Sequence, residues 1–190
     1  MDNLTKQSNK FRGKYRVEST RLKHWDYSSN GAYFITICTK NREFFFGEIV
    51  DGKMDYSRIG EMVKEEWENT KKIRSNVTLD EWVVMPNHIH GIVIIENHNV
   101  ETHCNASLPK KSQINQFGPQ SHNLAAIIRG FKGAATKQIH IAGFTTFAWQ
   151  SRFYDHIIRN ENELNQIREY IVNNPIKWDL DRNNSENLYM

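Results

Sequence analysis

Four stretches along the chain group apolar residues in the manner of β-strands. The first, Ala32–Lys40, is rich in β-branched and aromatic residues, which favour extended backbone. Two more, VTLDEWVVM and HIHGIVIIE, are separated by a Pro-Asn dipeptide that favours a tight turn, so we predict neighbouring strands. The fourth is FAWQSRFYDHIIR, near the end of the chain. A separate hairpin is predicted in EFFFGEIVDGKM, because its Asp-Gly pair suits a hairpin turn.

Three other stretches carry apolar residues at the spacing of one helix face. They are SRIGEMVKEEWENTKKI, NLAAIIRGFKGAATKQIHIA and NENELNQIREYIVNN. In the third, Asn160 and Glu163 have the spacing of a capping box, and Pro175 ends the helix. Residues 97–122 are polar and aperiodic, which predicts a long loop.

The order of these elements predicts an α+β fold. Without the hairpin and the last helix it reads β-α-β-β-α-β, the ferredoxin-like arrangement, in which an antiparallel sheet carries its helices on one face. We predict a basic N-terminal arm at 1–30, a single domain at 31–180 that includes an inserted hairpin and a C-terminal helix, and a polar C-terminal tail at 181–190. The fold alone leaves the function open.

Composition bears on membrane association, cellular location and binding partners. No apolar stretch approaches the roughly 18 residues that a membrane helix needs, and the N-terminus lacks the apolar core of a secretory signal. Without such a signal, Cys38 and Cys104 favour a reduced, cytoplasmic location, and we expect no membrane partner. The net charge of +3 is modest, but the arm interleaves basic and aromatic residues, which suits a polyphosphate backbone as well as a solvated tail.

Two histidines interrupt the third predicted strand at its beginning. His88 and His90 are two positions apart, so their side chains project from the same strand face. Adjacent imidazoles can chelate one divalent metal ion, and a hydrogen-bonded structural pair is the ordinary alternative. The chain lacks the spacing of a structural zinc site, whereas two imidazoles with an oxygen ligand suit Mg²⁺ or Mn²⁺. Candidates for a third ligand by residue type are His98, His103, His122, His140 and His156.

Three motifs resemble one family. MPNHIHGIV resembles the His-hydrophobic-His (HUH) motif of the single-tyrosine transposases. WQSRFYDHIIRNENELNQIREYIVNNPIKW resembles the closing segment of their REP-associated relatives, the REP-associated tyrosine transposases, and YFITICTKNR resembles the first strand of that group. The resemblance spans roughly residues 20–180, and the combination of motifs is more specific than the HUH letters alone.

The resemblance implies a function. It implies a metal-dependent single-stranded DNA endonuclease and strand transferase that acts in DNA transposition or recombination through a covalent 5′-phosphotyrosine. The implied cofactor is Mg²⁺ or Mn²⁺, and the implied partner is single-stranded DNA that bears a hairpin. A homodimer is left open.

The resemblance also places the nucleophile at Tyr170, within REYIVNNP. Asn174, one turn later on the same helix face, matches the position of the family's third metal ligand. Pro175 disfavours helical backbone at Asn174, so the residues alone leave the direction of that side chain open. They also leave open that Tyr170 only packs against the sheet, and that Tyr154 is the nucleophile, since an aspartate and a histidine follow it.

Basic side chains in the arm and in the second predicted helix are expected to contact DNA collectively. They are Arg12, Lys14, Arg16, Arg21, Lys23, Arg129, Lys132 and Lys137. Two other classes of function stay open. A non-catalytic ferredoxin-like nucleic-acid-binding protein would keep the fold without the chemistry. A metal-dependent hydrolase without a covalent intermediate would use the same histidines, although the chain lacks the H-x-E and P-C-x-x-C motifs of a cytidine deaminase.

Overall fold

Six strands and three α-helices make up the computed structural model, which describes residues 22, 25–97, 123–181, 183 and 184. The strands are β1 (Gly31–Cys38), β2 (Gly47–Val50), β3 (Lys53–Tyr56), β4 (Val77–Met85), β5 (His88–Ile95) and β6 (Tyr154–Ile158). The helices are α1 (Arg58–Ile73), α2 (Leu124–Ile141) and α3 (Glu161–Asn173), and short 3-10 turns cover Lys40–Arg42 and Trp178–Leu180. The loop predicted at 97–122 lies outside the described residues from 98 onward, as do Arg12, Lys14, Arg16, Arg21 and Lys23 of the predicted arm.

The main sheet has the strand order β4-β5-β1-β6, and every neighbouring pair is antiparallel. Taken in chain order, β1, α1, β4, β5, α2 and β6 form the predicted β-α-β-β-α-β arrangement, so the predicted α+β class with an antiparallel sheet is confirmed. The predicted hairpin is β2–β3. Its turn residues Asp51 and Gly52 have φ values of 50° and 71°, a backbone that an Asp-Gly pair tolerates.

One face of the main sheet carries the larger core, under α1 and α2. Alternate residues of β1 (Tyr33, Ile35 and Ile37) and of β5 (Ile89 and Val93) are buried there among apolar side chains of both helices. The two helices meet through the edge-to-face contact of Trp67 with Phe131, whose ring centroids are 4.9 Å apart. A side chain at Gly91 would place its Cβ 3.1 Å from the Trp67 ring of α1. Glycine at this position therefore lets α1 lie close to β5.

The opposite face, which we call the α3 face, carries Phe34 and Thr36 of β1 and His90 and Ile92 of β5. Helix α3 crosses it and buries Ile171 against Phe34 and Ile92. Asn160 caps the start of α3, because its Oδ1 accepts from the backbone N–H of Glu163 at 2.9 Å. The two predicted histidines therefore lie beneath the helix that carries Tyr170.

One predicted strand begins later in the structure than its sequence pattern indicates. The fourth strand was expected over FAWQSRFYDHIIR, but β6 begins only at Tyr154. The preceding residues pack irregularly, since the ring of Phe147 is buried in the larger core and Trp149 forms an isolated bridge with Thr39. Apolar content alone does not separate such a packed loop from a strand.

Among the described helices, none combines the length and the hydropathy that crossing a membrane requires.

Candidate active site

His88 and His90 open β5 and project together from the α3 face of the sheet. Across β1 their partners are Cys38 and Thr36. Both imidazoles are fully buried, and their ring centroids are 4.4 Å apart. The two rings thus converge as their spacing in the sequence predicts, in a place where a polar group without a partner would be costly.

Asn87 sets the orientation of the His88 ring. Its Nδ2 donates to the carbonyl oxygens of Arg42 at 3.0 Å and Asn183 at 2.8 Å, which fixes the direction of the amide group. The amide oxygen therefore faces His88 Nδ1, 2.8 Å away, and can only accept. His88 Nδ1 must carry the hydrogen, so the neutral ring keeps its lone pair on Nε2.

Replacing Asn87 with alanine is expected to lower the free energy of unfolding by about 2–4 kcal/mol, because two carbonyl oxygens and the His88 N–H lose a buried partner. Urea denaturation followed by tryptophan fluorescence measures the change. Asn69→Ala is the matched control, since Asn69 accepts a hydrogen bond from Lys72 on the exposed side of α1. Equal free energies for the two variants would contradict the role given to Asn87.

His90 lies between the strand and the last helix. Its Nδ1 is 2.9 Å from Thr36 Oγ1, and its Nε2 is 3.2 Å from the hydroxyl of Tyr170. The same Nε2 is 3.9 Å from Asp181 Oδ2. One imidazole nitrogen thus adjoins both a phenol and a carboxylate, which together form a polar cluster beneath α3.

Asp181 is the part of this cluster that the sequence did not reveal. It directly follows the Trp178–Leu180 turn, and its carboxylate is buried. Burial opposes ionisation of Asp181. The nearby imidazoles of His90 and His88, with hydrogen bonds from the backbone N–H of Asn183 and from the amide of Asn174, outweigh that effect and lower the pKa of Asp181 well below its ordinary value. Asp181 is therefore a carboxylate at neutral pH.

The residues present fit a divalent cation. One ligand atom each from His88, His90 and Asp181 lies within 4.8 Å of the others. Asn174 Oδ1 is buried beside them and meets no hydrogen-bond donor among the residues that the structure describes, while its Nδ2 donates to Asp181 Oδ2 at 3.0 Å. Two imidazoles, a carboxylate and an unused amide oxygen are a donor set that divalent metal ions accept.

The other histidines suggested as a third ligand are either engaged elsewhere or outside the described residues. His140 Nε2 is 2.9 Å from the carbonyl oxygen of Phe147, and His156 Nε2 is 2.7 Å from Glu163 Oε1 at the start of α3. His98, His103 and His122 lie outside the described residues. The oxygen donors Asp181 and Asn174 are thus better placed than His140 or His156.

Tyr170 lies on α3 with its hydroxyl at this cluster. Its ring meets Phe34 edge to face at 6.0 Å, and its hydroxyl donates to Asp181 Oδ2 at 3.4 Å. The side chain is nevertheless 40% exposed. Tyr170 therefore does more than pack against the sheet: one side of its ring faces solvent and its oxygen faces the histidines.

Two features hold this part of α3 in place. Arg168 forms a two-pronged ion pair with Asp80 of β4, with nitrogen–oxygen distances of 2.8 and 2.6 Å. Asn174 keeps helical backbone, with φ −60° and ψ −43°, although Pro175 follows. The side chain of Asn174 consequently stays on the Tyr170 side of the helix, one turn further on.

An open cleft adjoins the Tyr170 hydroxyl. Its volume is about 460 Å³. It is lined by Phe34, Tyr170, Asn174, Lys177, Leu180 and Asp181. The cleft gives a solvent-borne molecule access to the phenol oxygen and to the carboxylate.

Tyr154, the rival nucleophile, lies on the edge strand β6. Its ring is 6.3 Å from that of Phe34 and is 45% exposed. His156, which was expected to assist it, is paired with Glu163. The structure thus brings Tyr170 to the histidines, whereas Tyr154 stands at the border of the sheet.

Three basic residues expected to contact DNA lie on α2, which covers the face of the sheet opposite to the histidines. Arg129 and Lys137 are exposed. Lys132 is not simply solvated, because its ammonium donates to the carbonyl oxygens of Gln150 and Arg152 at 2.8 and 3.0 Å. Burial lowers the pKa of Lys132 to about 8. Contact of these three residues with DNA stays a prediction, and any such contact would be separate from the cleft.

Comparisons with other proteins give one close relative in sequence and likenesses in fold. A protein of Haemophilus influenzae (strain ATCC 51907 / DSM 11121 / KW20 / Rd), described as uncharacterised, is 43% identical over 172 residues, which are 90% of this chain and 94% of that protein. The structure of a REP-associated tyrosine transposase bound to a REP hairpin is 21% identical and superimposes with a TM-score of 0.56. That superposition covers 86% of this chain and 74% of the transposase chain.

A crystal structure of a Deinococcus radiodurans R1 protein, proposed to be a transposase, is 16% identical with a TM-score of 0.43 and covers 82% of this chain and 97% of that one. No protein-family model matches the chain. The REP-associated transposase therefore shares the fold of this chain, and the Haemophilus influenzae protein aligns with most of its length.

Proposed function

Since the chain belongs to the same family as the uncharacterised Haemophilus influenzae protein and has the fold of a REP-associated tyrosine transposase, we propose that it acts as a transposase-like enzyme. In this proposal it is a metal-dependent HUH endonuclease and strand transferase for single-stranded DNA. It cuts one strand through a covalent 5′-phosphotyrosine on Tyr170 and later joins strands, in DNA transposition or recombination.

The position of one hydroxyl group carries the proposal. Tyr170 Oη is 3.2 Å from His90 Nε2 and donates to Asp181 Oδ2, yet its ring borders an open cleft. A nucleophile must meet both conditions, since it needs a polar site that organises it and room for a substrate. A tyrosine that served only to pack α3 on the sheet would need neither.

The same cluster supplies candidate metal ligands. His88, His90 and Asp181 would hold Mg²⁺ or Mn²⁺, with the amide oxygen of Asn174 as a further donor. When bound, such a cation offsets charge on a phosphate and polarises it. The buried network around Asn87 and Thr36 keeps the two imidazoles oriented without the help of substrate.

The reaction balances with groups that the chain and the DNA provide. The oxygen of Tyr170 forms a bond to the scissile phosphorus, and the bond from that phosphorus to the 3′-oxygen breaks. The phenol proton leaves to water on the open side of the cleft, and the departing 3′-oxygen takes up a proton to become a 3′-hydroxyl. Because the phosphotyrosine is itself a phosphodiester, a 3′-hydroxyl can reverse the step and join strands without a nucleotide cofactor.

The proposed substrate is single-stranded DNA that bears a hairpin, because the transposase of shared fold is described as bound to a REP hairpin. The basic residues predicted in the arm and on α2 are retained as proposed contacts with its backbone. A cytoplasmic location is retained with them. A homodimer stays an open prediction.

A labelled oligonucleotide tests the proposal. We expect wild-type protein with Mn²⁺ to form an adduct that resists denaturing electrophoresis when a hairpin-bearing single strand carries its label at the 3′ end. With the label at the 5′ end, the same strand should release a shorter free fragment, because a 5′-phosphotyrosine retains only the downstream piece. Chelation by EDTA should remove both signals. If neither label reports cleavage with Mg²⁺ or Mn²⁺ while binding persists, the non-catalytic binding protein becomes the better description.

A further inference from the structure

The segment after α3 forms one wall of the cleft beside Tyr170. Trp178 and Asp181 are buried, whereas Lys177, Asp179 and Leu180 are exposed. Trp178 points inward and stacks near the His88 ring at 6.0 Å, and it also meets Phe44 edge to face at 5.8 Å. Leu180 points outward, and its side chain is 85% exposed. Asp181 points inward again.

Backbone hydrogen bonds anchor this wall to the helix. Lys177 N–H lies 3.2 Å from the carbonyl oxygen of Asn173 and 3.1 Å from that of Asn174. The N–H groups of Leu180 and Asp181 donate to the carbonyl oxygens of Lys177 and Trp178. The segment is therefore held in a fixed position relative to Tyr170, and the exposure of Leu180 does not reflect a frayed end.

The lining of the cleft separates into chemically distinct parts. Leu180 and Phe34 are apolar, Lys177 is a cation, and Asp181 is a carboxylate within the candidate metal cluster. The volume of about 460 Å³ is of the size that small ligands occupy. An anionic, planar ligand would match this lining, since a phosphate needs the cation and a base offers a flat face to the leucine.

We infer that the Lys177–Leu180 wall binds the nucleotide next to the scissile phosphate, with Lys177 contacting its phosphate and Leu180 covering the face of its base. This inference rests on the proposed function, because it takes Tyr170 as the point of cleavage. Lys177 and Leu180 then position DNA rather than take part in the chemistry.

Two pairs of matched variants test the wall. Lys177→Gln and Leu180→Ser change exposed side chains and should leave folding intact. Lys71→Gln and Ile73→Ser are the controls, since both residues are exposed at the end of α1 on the other face of the sheet. The probe is a hairpin oligonucleotide with a single-stranded flank, and its affinity is measured by fluorescence anisotropy between 50 and 200 mM salt, with EDTA present to prevent cleavage.

The two variants should weaken binding in different ways. Lys177→Gln should reduce the slope of log affinity against log salt by about 0.7, the value for one phosphate contact on a single strand. Leu180→Ser should lower affinity roughly two- to fivefold at every salt concentration and leave the slope unchanged, because its contact is apolar. Lys71→Gln and Ile73→Ser should behave as wild type.

A chemical scan of the DNA locates the contact. Uncharged methylphosphonates are introduced at one flank position at a time. At one position, the methylphosphonate should weaken binding by wild-type protein but should not weaken binding by Lys177→Gln any further. The two changes remove the same interaction. If the effects are additive at every position, or if Lys177→Gln matches Lys71→Gln, the inference is overturned.

The scan separates this inference from the proposed function. If wild-type protein forms the adduct but Lys177→Gln has the wild-type slope of log affinity against log salt, the nucleotide-binding role of the Lys177–Leu180 wall is overturned. The proposed enzyme activity is then unaffected. A specific Lys177 contact without any adduct in Mg²⁺ or Mn²⁺ supports the wall as a nucleotide site and overturns the proposed catalysis. An absence of wild-type binding to the probe, both in EDTA and in Mn²⁺, overturns both.

Discussion

Tyr170→Phe is expected to reduce the covalent protein–DNA adduct by roughly 10³-fold or more, to background, while single-stranded DNA binding stays nearly unchanged. The substitution removes one hydroxyl group and keeps the ring that meets Phe34 edge to face. The substitution also removes the hydrogen bonds of the Tyr170 hydroxyl with His90 and Asp181. Because the Tyr170 side chain is partly exposed, the free energy of unfolding should fall by only about 1 kcal/mol. Denaturing electrophoresis of a 3′-labelled strand measures the adduct, and anisotropy measures binding.

Tyr154→Phe is the matched control for that experiment. Both tyrosines are similarly exposed and both approach Phe34, but the hydroxyl brought to the histidines is that of Tyr170. The control should form the adduct at the wild-type rate. Loss of the adduct in Tyr154→Phe but not in Tyr170→Phe would transfer the nucleophile to β6 and refute the site described above.

Asp181→Ala is expected to weaken Mn²⁺ binding by roughly 10- to 100-fold, because it removes the anionic member of the candidate metal cluster. Wild-type protein should be stabilised by the metal, by about 2.7 kcal/mol when Mn²⁺ is at 100 times its dissociation constant. Most of that gain should disappear in the variant. Titration calorimetry with MnCl₂ and the metal-induced shift in the unfolding midpoint measure the two quantities without any DNA.

Two further variants test whether the loss of Mn²⁺ binding is specific to Asp181. Asp179→Ala removes an exposed aspartate from the same turn and should bind Mn²⁺ as wild type does. Asn174→Ala should weaken binding if the buried amide oxygen is a ligand, and circular dichroism at 20 °C checks that each variant is folded. Equal Mn²⁺ affinities for Asp181→Ala and wild type would exclude the carboxylate from the metal site and leave Asn174 as the candidate oxygen donor.

Local pattern predicted much of the fold but only part of the site. The period of two in β5 was enough to place His88 and His90 on one face with Ile92, because strand geometry alone determines that outcome. Their meeting with Tyr170, some 80 positions later, depends on how α3 crosses the sheet. The residues of α3 equally allowed a packing role for Tyr170, and the family resemblance favoured the nucleophile.

The positions of the Asp181 and Lys132 side chains could not be predicted from the sequence. Asp181 follows a proline and a short turn, without periodicity, so the sequence predicts it in a polar tail. The inward packing of Trp178 and the hydrogen bonds of Asn87 and Asn174 bring its carboxylate to the histidines. Lys132 has the helical spacing of an exposed residue, yet its long side chain reaches carbonyl oxygens of a neighbouring segment. Both positions depend on tertiary contacts that no local window contains.

One chain supplies His88, His90, Asp181 and Tyr170 to a single site. Under the proposed function, this arrangement sets a stoichiometry. A site with one phenol at its cation cluster can hold one DNA end at a time, so freeing a segment with two ends requires either two molecules or two successive cuts by one. At saturating DNA, the adduct formed per chain should therefore stay constant as the protein is diluted. Any dependence of complete excision on protein concentration would then report the joining of two ends rather than the assembly of the site.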